Sequence, residues 1–127
     1  MDDNSTSGLL SFEGRQLKSF AEPINAADLT PNGVYFQLNF ADEKLLVPHL
    51  QPVVFIGTNL DPQDEGTILY FQDIDSYKAG IRHDDGQQSE GAVFQRGSER
   101  EFAYIFEYER ALDELMKCSL RRRNRHS

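Results

Sequence analysis

Residues 98–125 read SEREFAYIFEYERALDELMKCSLRRRNR, and the periodicity of this stretch decides the fold class. Phe102, Ile105, Leu112 and Met116 lie along one stripe at helical spacing, and Phe106, Tyr108, Leu115 and Leu120 widen it. Ser98 and Glu101 have the spacing of a capping box, in which the serine oxygen accepts from an unpaired helix N–H and the glutamate reaches back. The pattern predicts one continuous amphipathic helix from Ser98, laid by its apolar stripe on a β-layer. Burial of each large apolar side chain contributes roughly 1.5–3 kcal/mol. Asp113 and Lys117 are expected to pair on the helix surface. The cluster Arg121, Arg122, Arg123 and Arg125 falls where the helix dipole is negative, a favourable place for cations.

Upstream, the chain alternates short apolar runs with turn residues. Leu9–Phe12 and Gln16–Phe20 around Gly14 suggest a small hairpin. Asn25 is placed to cap a short turn over residues 26–29, and Pro31-Asn32-Gly33 forces another turn. Val34, Phe36, Leu38 and Phe40 alternate with Tyr35, Gln37 and Asn39, which predicts a strand whose second face, carrying Tyr35, meets solvent or a partner. Leu45-Leu46-Val47 reads as a link before Pro48 and Pro52. Val53–Ile56, apolar on both faces, reads as an interior strand. Residues 67–72 form the next strand, with a short helix after it, capped by Asp73 and ended by Gly80. Residues 92–95 make a short strand at an edge, and residues 83–91 form a polar loop. The expected architecture is α+β: an antiparallel sheet of about four to six strands packed by one long C-terminal helix, with a short helix after the third main strand.

A chain of 127 residues fits one domain, here divided into a disordered start (1–8), an α+β body (9–120) and a basic tail (121–127). The net charge of −8 conceals an asymmetry, because residues 1–120 hold nine of the thirteen bases and all 21 acids, a balance of −12. Such a body repels phosphate backbones, which leaves the arginine tail as the only place for nucleic acid. It suits a basic protein partner, whose approach it steers. Cys118 is the single cysteine, so no internal disulfide or cysteine-based zinc cluster arises. The absence of a long apolar run or a secretory leader pattern predicts a cytoplasmic protein without a membrane span.

His83-Asp84-Asp85 is the only stretch resembling a reactive site, since an imidazole beside carboxylates serves as a general base or metal ligand. It lacks a second histidine motif and a phosphate loop, and it reads as a solvated loop. Asp61, Asp64 and Glu65 form an acidic loop, separated from Asp73 and Asp75 by a strand about 20 Å long at ~3.3 Å per residue, so the two clusters do not share an ion. No cofactor or metal is expected. Ser76, Ser89 and Ser98 lack a nucleophile-elbow pattern.

These readings favour a non-catalytic acidic domain that binds a protein. Its contact residues are expected among Tyr35, Asp61, Asp64, Glu65, Asp84 and Asp85, with tail contacts from Arg121, Arg122, Arg123 and Arg125. In composition, and in that alone, the chain is similar to small acidic immunity proteins that neutralise toxins, which implies inhibition of a basic partner. The alternatives are a metal-assisted hydrolase using His83, Asp84 and Asp85, and a nucleic-acid accessory protein acting through the tail.

Overall fold

The computed structural model describes residues 16–17, 21, 23–84 and 91–125. The hairpin expected near the N-terminus lies outside the described residues except for Gln16 and Leu17, which are not in a strand; residues 1–8 and Asp85 also lie outside them. A 3-10 turn (Ala26–Asp28) precedes β1 (Val34–Phe40), β2 (Pro48–Thr58) and β3 (Leu69–Asp73). There follow α1 (Ile74–Lys78), β4 (Phe94–Gly97), β5 (Ile105–Phe106) and α2 (Tyr108–Arg125). The five strands form one antiparallel sheet in the order β4-β3-β2-β1-β5. The fold is α+β, as the sequence pattern predicts, with α2 packed over β1 and β5.

Alternation places β1 as expected, and Phe36, Leu38 and Phe40 join Leu50, Phe106 and Ala111 beneath α2. The other face of β1 is not a solvent face. Tyr35 is buried in a second core with Val53, Phe55, Leu69, Phe71 and Ile105, and its hydroxyl accepts from the Thr30 N–H at 2.8 Å. On the same face, Gln37 of β1 and Gln95 of β4 exchange two amide hydrogen bonds of 3.1 and 3.0 Å. Those strands are separated by β3 and β2, so the sheet curls toward this face.

The curl follows from connectivity. β4 and β5 are opposite edges of the sheet, yet only residues 98–104 join them. Four flat strand spacings would hold the edges about 19 Å apart, whereas the link is wound into turns. Its Phe102 lies edge-on to Phe71 at 4.9 Å, closing the concave side. The long strand β2 makes the bend possible by changing partners, pairing with β1 over residues 48–54 and with β3 over residues 53–58. A bulge between Phe55 and Gly57 marks the bend, where Gly57 adopts φ 145°.

The prolines explain why β2 is longer than its apolar run. Phe55 N–H donates to Gly33 O at 3.0 Å, so odd-numbered residues of β2 aim their N–H groups toward β1 and even-numbered ones toward β3. Pro48 and Pro52 are even-numbered, and the β3 ladder starts only at Val53–Asp73. Their missing N–H groups therefore cost no ladder bond.

The largest departure from the sequence reading is the start of the long helix. The Ser98–Glu101 box does form: Ser98 N–H donates to Glu101 Oε1 at 2.9 Å and Glu101 N–H to Ser98 Oγ at 3.4 Å. It closes a turn, not a long helix. Ile105 and Phe106 then extend along the open edge of β1, opposite Gln37 and Phe36. That pairing satisfies a backbone edge otherwise bare beside the core, and α2 begins afresh at Tyr108. Glu107 caps it, its carboxylate accepting from the Arg110 N–H at 3.2 Å.

The smaller elements match their signals. Asp73 accepts from the Ser76 N–H to start α1, and Gly80 ends it with φ 91°. The turn at Ala26–Asp28 is present, but Asn25 supplies its carbonyl, not its side chain.

If the Gln37–Gln95 pair holds the curl, Gln37→Ala costs about 1 kcal/mol because it strands a half-buried amide. Replacing both glutamines with leucine costs less than the sum of the single changes. A double-mutant cycle by urea denaturation checks this, and strictly additive effects reject the bridge.

Candidate interaction face

Because α2 starts at Tyr108, its rotation is set independently of Phe102 and Ile105. The inward side carries Ala111, Glu114 and Cys118, each less than a tenth exposed. Arg121 reaches back over the Phe40 ring and donates to the Leu45 carbonyl at 3.0 Å. The outward side carries Leu112 (44 % exposed), Met116 (38 %) and Leu120 (44 %), and Tyr108, 70 % exposed, rests one side of its ring 5.1 Å from Phe36. Residues four apart on a helix advance by about 40° around the axis, so these four make one continuous ridge.

The expected docking of Phe102, Ile105, Leu112 and Met116 on the sheet is therefore corrected. Ile105 is buried as a strand residue and Phe102 half-buried in the link, while Leu112 and Met116 face outward. Arg110 pairs with Asp113 at 3.5 Å, and Lys117 with Glu114 at 2.7 Å, the latter two side chains both close to fully buried. The helix thus turns Asp113, Glu114 and Lys117 toward the protein and Leu112, Met116 and Leu120 away from it, with Leu115 half-buried.

Of the acidic residues singled out in the sequence, Asp64 and Asp73 serve as loop fasteners, and Asp42 does the same in another loop. Asp64 is taken up by the Tyr70 hydroxyl at 2.6 Å and by Arg96, leaving its carboxylate side chain 1 % exposed. Burial pushes the Asp64 carboxyl upward in pKa, but hydrogen bonds from Tyr70, Arg96 and the Asp61 N–H outweigh it and hold it below the usual carboxylate range. The same contact to Asp64, together with burial, raises the Tyr70 phenol. Asp42 closes the β1–β2 loop by accepting from Leu46 and Val47 N–H groups. Asp73 is held by the Ser76 side chain and the Val93 N–H as well as capping α1. In both, burial opposes ionisation and the hydrogen bonds prevail, so both are lowered. Asp61 and Glu65 remain exposed in the 59–66 loop.

His83 and Asp84 are brought together at the exposed rim of a cavity of about 340 Å³. The His83 ring stands edge-on to Tyr70 at 5.2 Å and to Phe94 at 5.6 Å, which fixes it by packing. Arg82 lies over the Tyr77 ring at 4.2 Å, and Tyr77 donates its hydroxyl proton to Asn32. Gln72 forms the buried wall, donating from Nε2 to Ser76 Oγ and the Ile81 carbonyl, each at 2.9 Å. Its Oε1 is buried without a protein donor. No group of three or more metal-ligating side chains converges among the described residues. Arg122 and Arg123 are exposed on the last turn of α2, and the backbone of Arg125 continues the helix. Among the described residues, no helix is long and apolar enough to cross a membrane.

The sequence reading found every member of the outer ridge but assigned it inward. The missed signal was Glu107, whose carboxylate at a helix start marks the true beginning of α2. No protein-family model, curated protein or solved structure matches this chain.

The lowered Asp64 carboxyl gives a pH-dependent expectation. Its contribution is fully present above the ordinary carboxylate range and fades as pH falls through its lowered pKa. Asp64→Asn is expected to lower the melting temperature at neutral pH, with the gap from wild type closing in strong acid. A gap that stays constant into acid rejects the Asp64–Tyr70–Arg96 fastening as an ionic one.

Proposed function

We propose that the protein is a non-catalytic protein-binding domain whose contact surface is the outer face of α2. The observation that carries this reading is the ridge Tyr108–Leu112–Met116–Leu120, exposed along a helix whose opposite side buries Glu114 beside Lys117. A lone exposed leucine needs no explanation, but a contiguous row of large apolar side chains marks a surface that another molecule covers. Tyrosine and methionine suit contact, the first bringing area at low entropic cost and the second adapting its shape to a partner.

Charge supports a protein partner with basic character. A net charge of −8 attracts such a surface and speeds its encounter, in the manner of an acidic inhibitor. The free, buried thiol of Cys118 fits a reducing cytoplasm.

Leu112→Glu with Met116→Glu tests the reading directly. Both sites face outward, so the double variant is expected to keep the wild-type circular dichroism spectrum and to lose no more than about 0.5 kcal/mol of stability per site. It is expected to lose capture of the physiological partner by about tenfold or more in affinity, measured by immobilised-protein binding. Capture equal to wild type, or unfolding comparable to that of a core variant such as Phe106→Ala, rejects α2 as the contact face.

A further inference from the structure

The outer face of α2 is self-complementary, and we infer that the molecule seated on it is a second copy of the chain, packed antiparallel about a two-fold axis level with Glu114. This rests on the reading of that face as a protein-binding surface and names its occupant.

Two observations select the copy and its direction. The first is the order of charge along α2. Glu107 and Glu109 stand at its start, outnumbering Arg110 there, and Arg121, Arg122 and Arg123 stand at its end. Antiparallel pairing sets the acidic start of one helix beside the arginine end of the other, while parallel pairing sets arginine on arginine. Opposed macrodipoles favour the same direction. The chain is acidic over residues 1–120, so the basic surface that best suits the start of α2 is the one concentration of arginines that the chain itself carries.

The second is the spacing of the ridge. A two-fold axis at position 114 brings Tyr108 opposite Leu120 of the copy and Leu112 opposite its Met116. Every member of the ridge then meets an apolar counterpart. A row of residues four apart is also the ridge used in the commonest helix packing, where like ridges interdigitate at a crossing angle of about −50°. Such a contact is isologous and closes on itself, so it makes a dimer and not a fibre. Arg121 is committed to the Leu45 carbonyl, which leaves Arg122 and Arg123, among the described side chains, as the exposed cations at the end of the ridge.

The test uses the full chain. Sedimentation velocity over about a hundredfold range of concentration is expected to show a concentration-dependent dimer. Met116→Glu is expected to remain monomeric with an unchanged circular dichroism spectrum. Arg122→Glu with Arg123→Glu is expected to weaken association about tenfold, a change that a purely apolar contact does not produce. Direction is read from cysteines. Positions 108 and 120 lie about 18 Å apart along one helix. Under mild oxidation a mixture of Tyr108→Cys and Leu120→Cys chains is expected to cross-link, whereas each variant alone gives no more cross-link than wild type. Cross-linking of Tyr108→Cys to itself, or a dimer that survives Met116→Glu, overturns the arrangement. A monomer at every concentration overturns the second copy. In that event, loss of the physiological partner in Met116→Glu keeps the face as a binding surface with another occupant, and undiminished capture removes both readings.

Discussion

A strand of two residues governs this structure. Ile105 and Phe106 pair with the free edge of β1, and their side chains point to opposite faces of the sheet. Ile105 enters the concave core with Tyr35, Val53, Phe55 and Phe71, and Phe106 enters the core beneath α2 with Leu38 and Ala111. One dipeptide thus ties both cores to the same edge. It also forces the preceding link to run from one edge of the sheet to the other, drawing Phe102 onto Phe71 and Glu99 onto the Ala26 N–H. Finally, it sets where α2 can begin, and hence which way each side chain of α2 faces. The curl of the sheet, the closure of its concave side and the orientation of the outer ridge are all consequences of that short pairing.

The acids add a second constraint, at the loops. Asp42, Asp64 and Asp73 each gather two or more donors and close, in order, the β1–β2 loop, the β2–β3 loop and the entrance to α1. A carboxylate serves well here because it accepts several hydrogen bonds at once, and each bond favours its charged form. Part of the acidity of the chain is therefore spent on scaffold. The remaining exposed acids leave a negative field at the surface.

Legibility in the sequence followed the length of the local signal. β1 could be read from its strict alternation over seven residues, and α1 from an aspartate cap with a glycine stop. The first half of β2 was hidden by Pro48 and Pro52, whose tolerance depends on where β3 ends, a fact of tertiary pairing. Tyr35 looked like a surface residue because its neighbours Gln37 and Asn39 are polar. The curl that buries it, and that lets Gln37 meet Gln95, arises from the closure of the sheet and has no local signature. β5 was illegible for the same reason. Two residues have no period, and Ile105 and Phe106 also fit a helical stripe that runs on into α2. The capping box at Ser98 was read correctly as a hydrogen-bond motif, but such a motif closes a single turn as readily as it starts a helix.

The candidate face was half legible, and the missing half was its direction. Counting helical phase from Phe102 carries Leu112 and Met116 toward the sheet; restarting the count at Tyr108 turns them outward. The structure adopts the second phase although it buries Glu114 and Lys117, a pairing whose desolvation largely offsets its attraction. Rotating α2 to bury the ridge would withdraw Arg121 from Leu45 and Phe40 and remove Ala111 from its seat against Leu38 and Phe106, where only a small residue allows close approach. The inward side is thus chosen by shape, with a small residue at the contact and ionic groups matched to one another. What remains outside is the apolar area that this choice cannot bury within one chain. That unspent burial is the driving force available for association, and it is located on a helix whose charge runs from acidic to basic along its length.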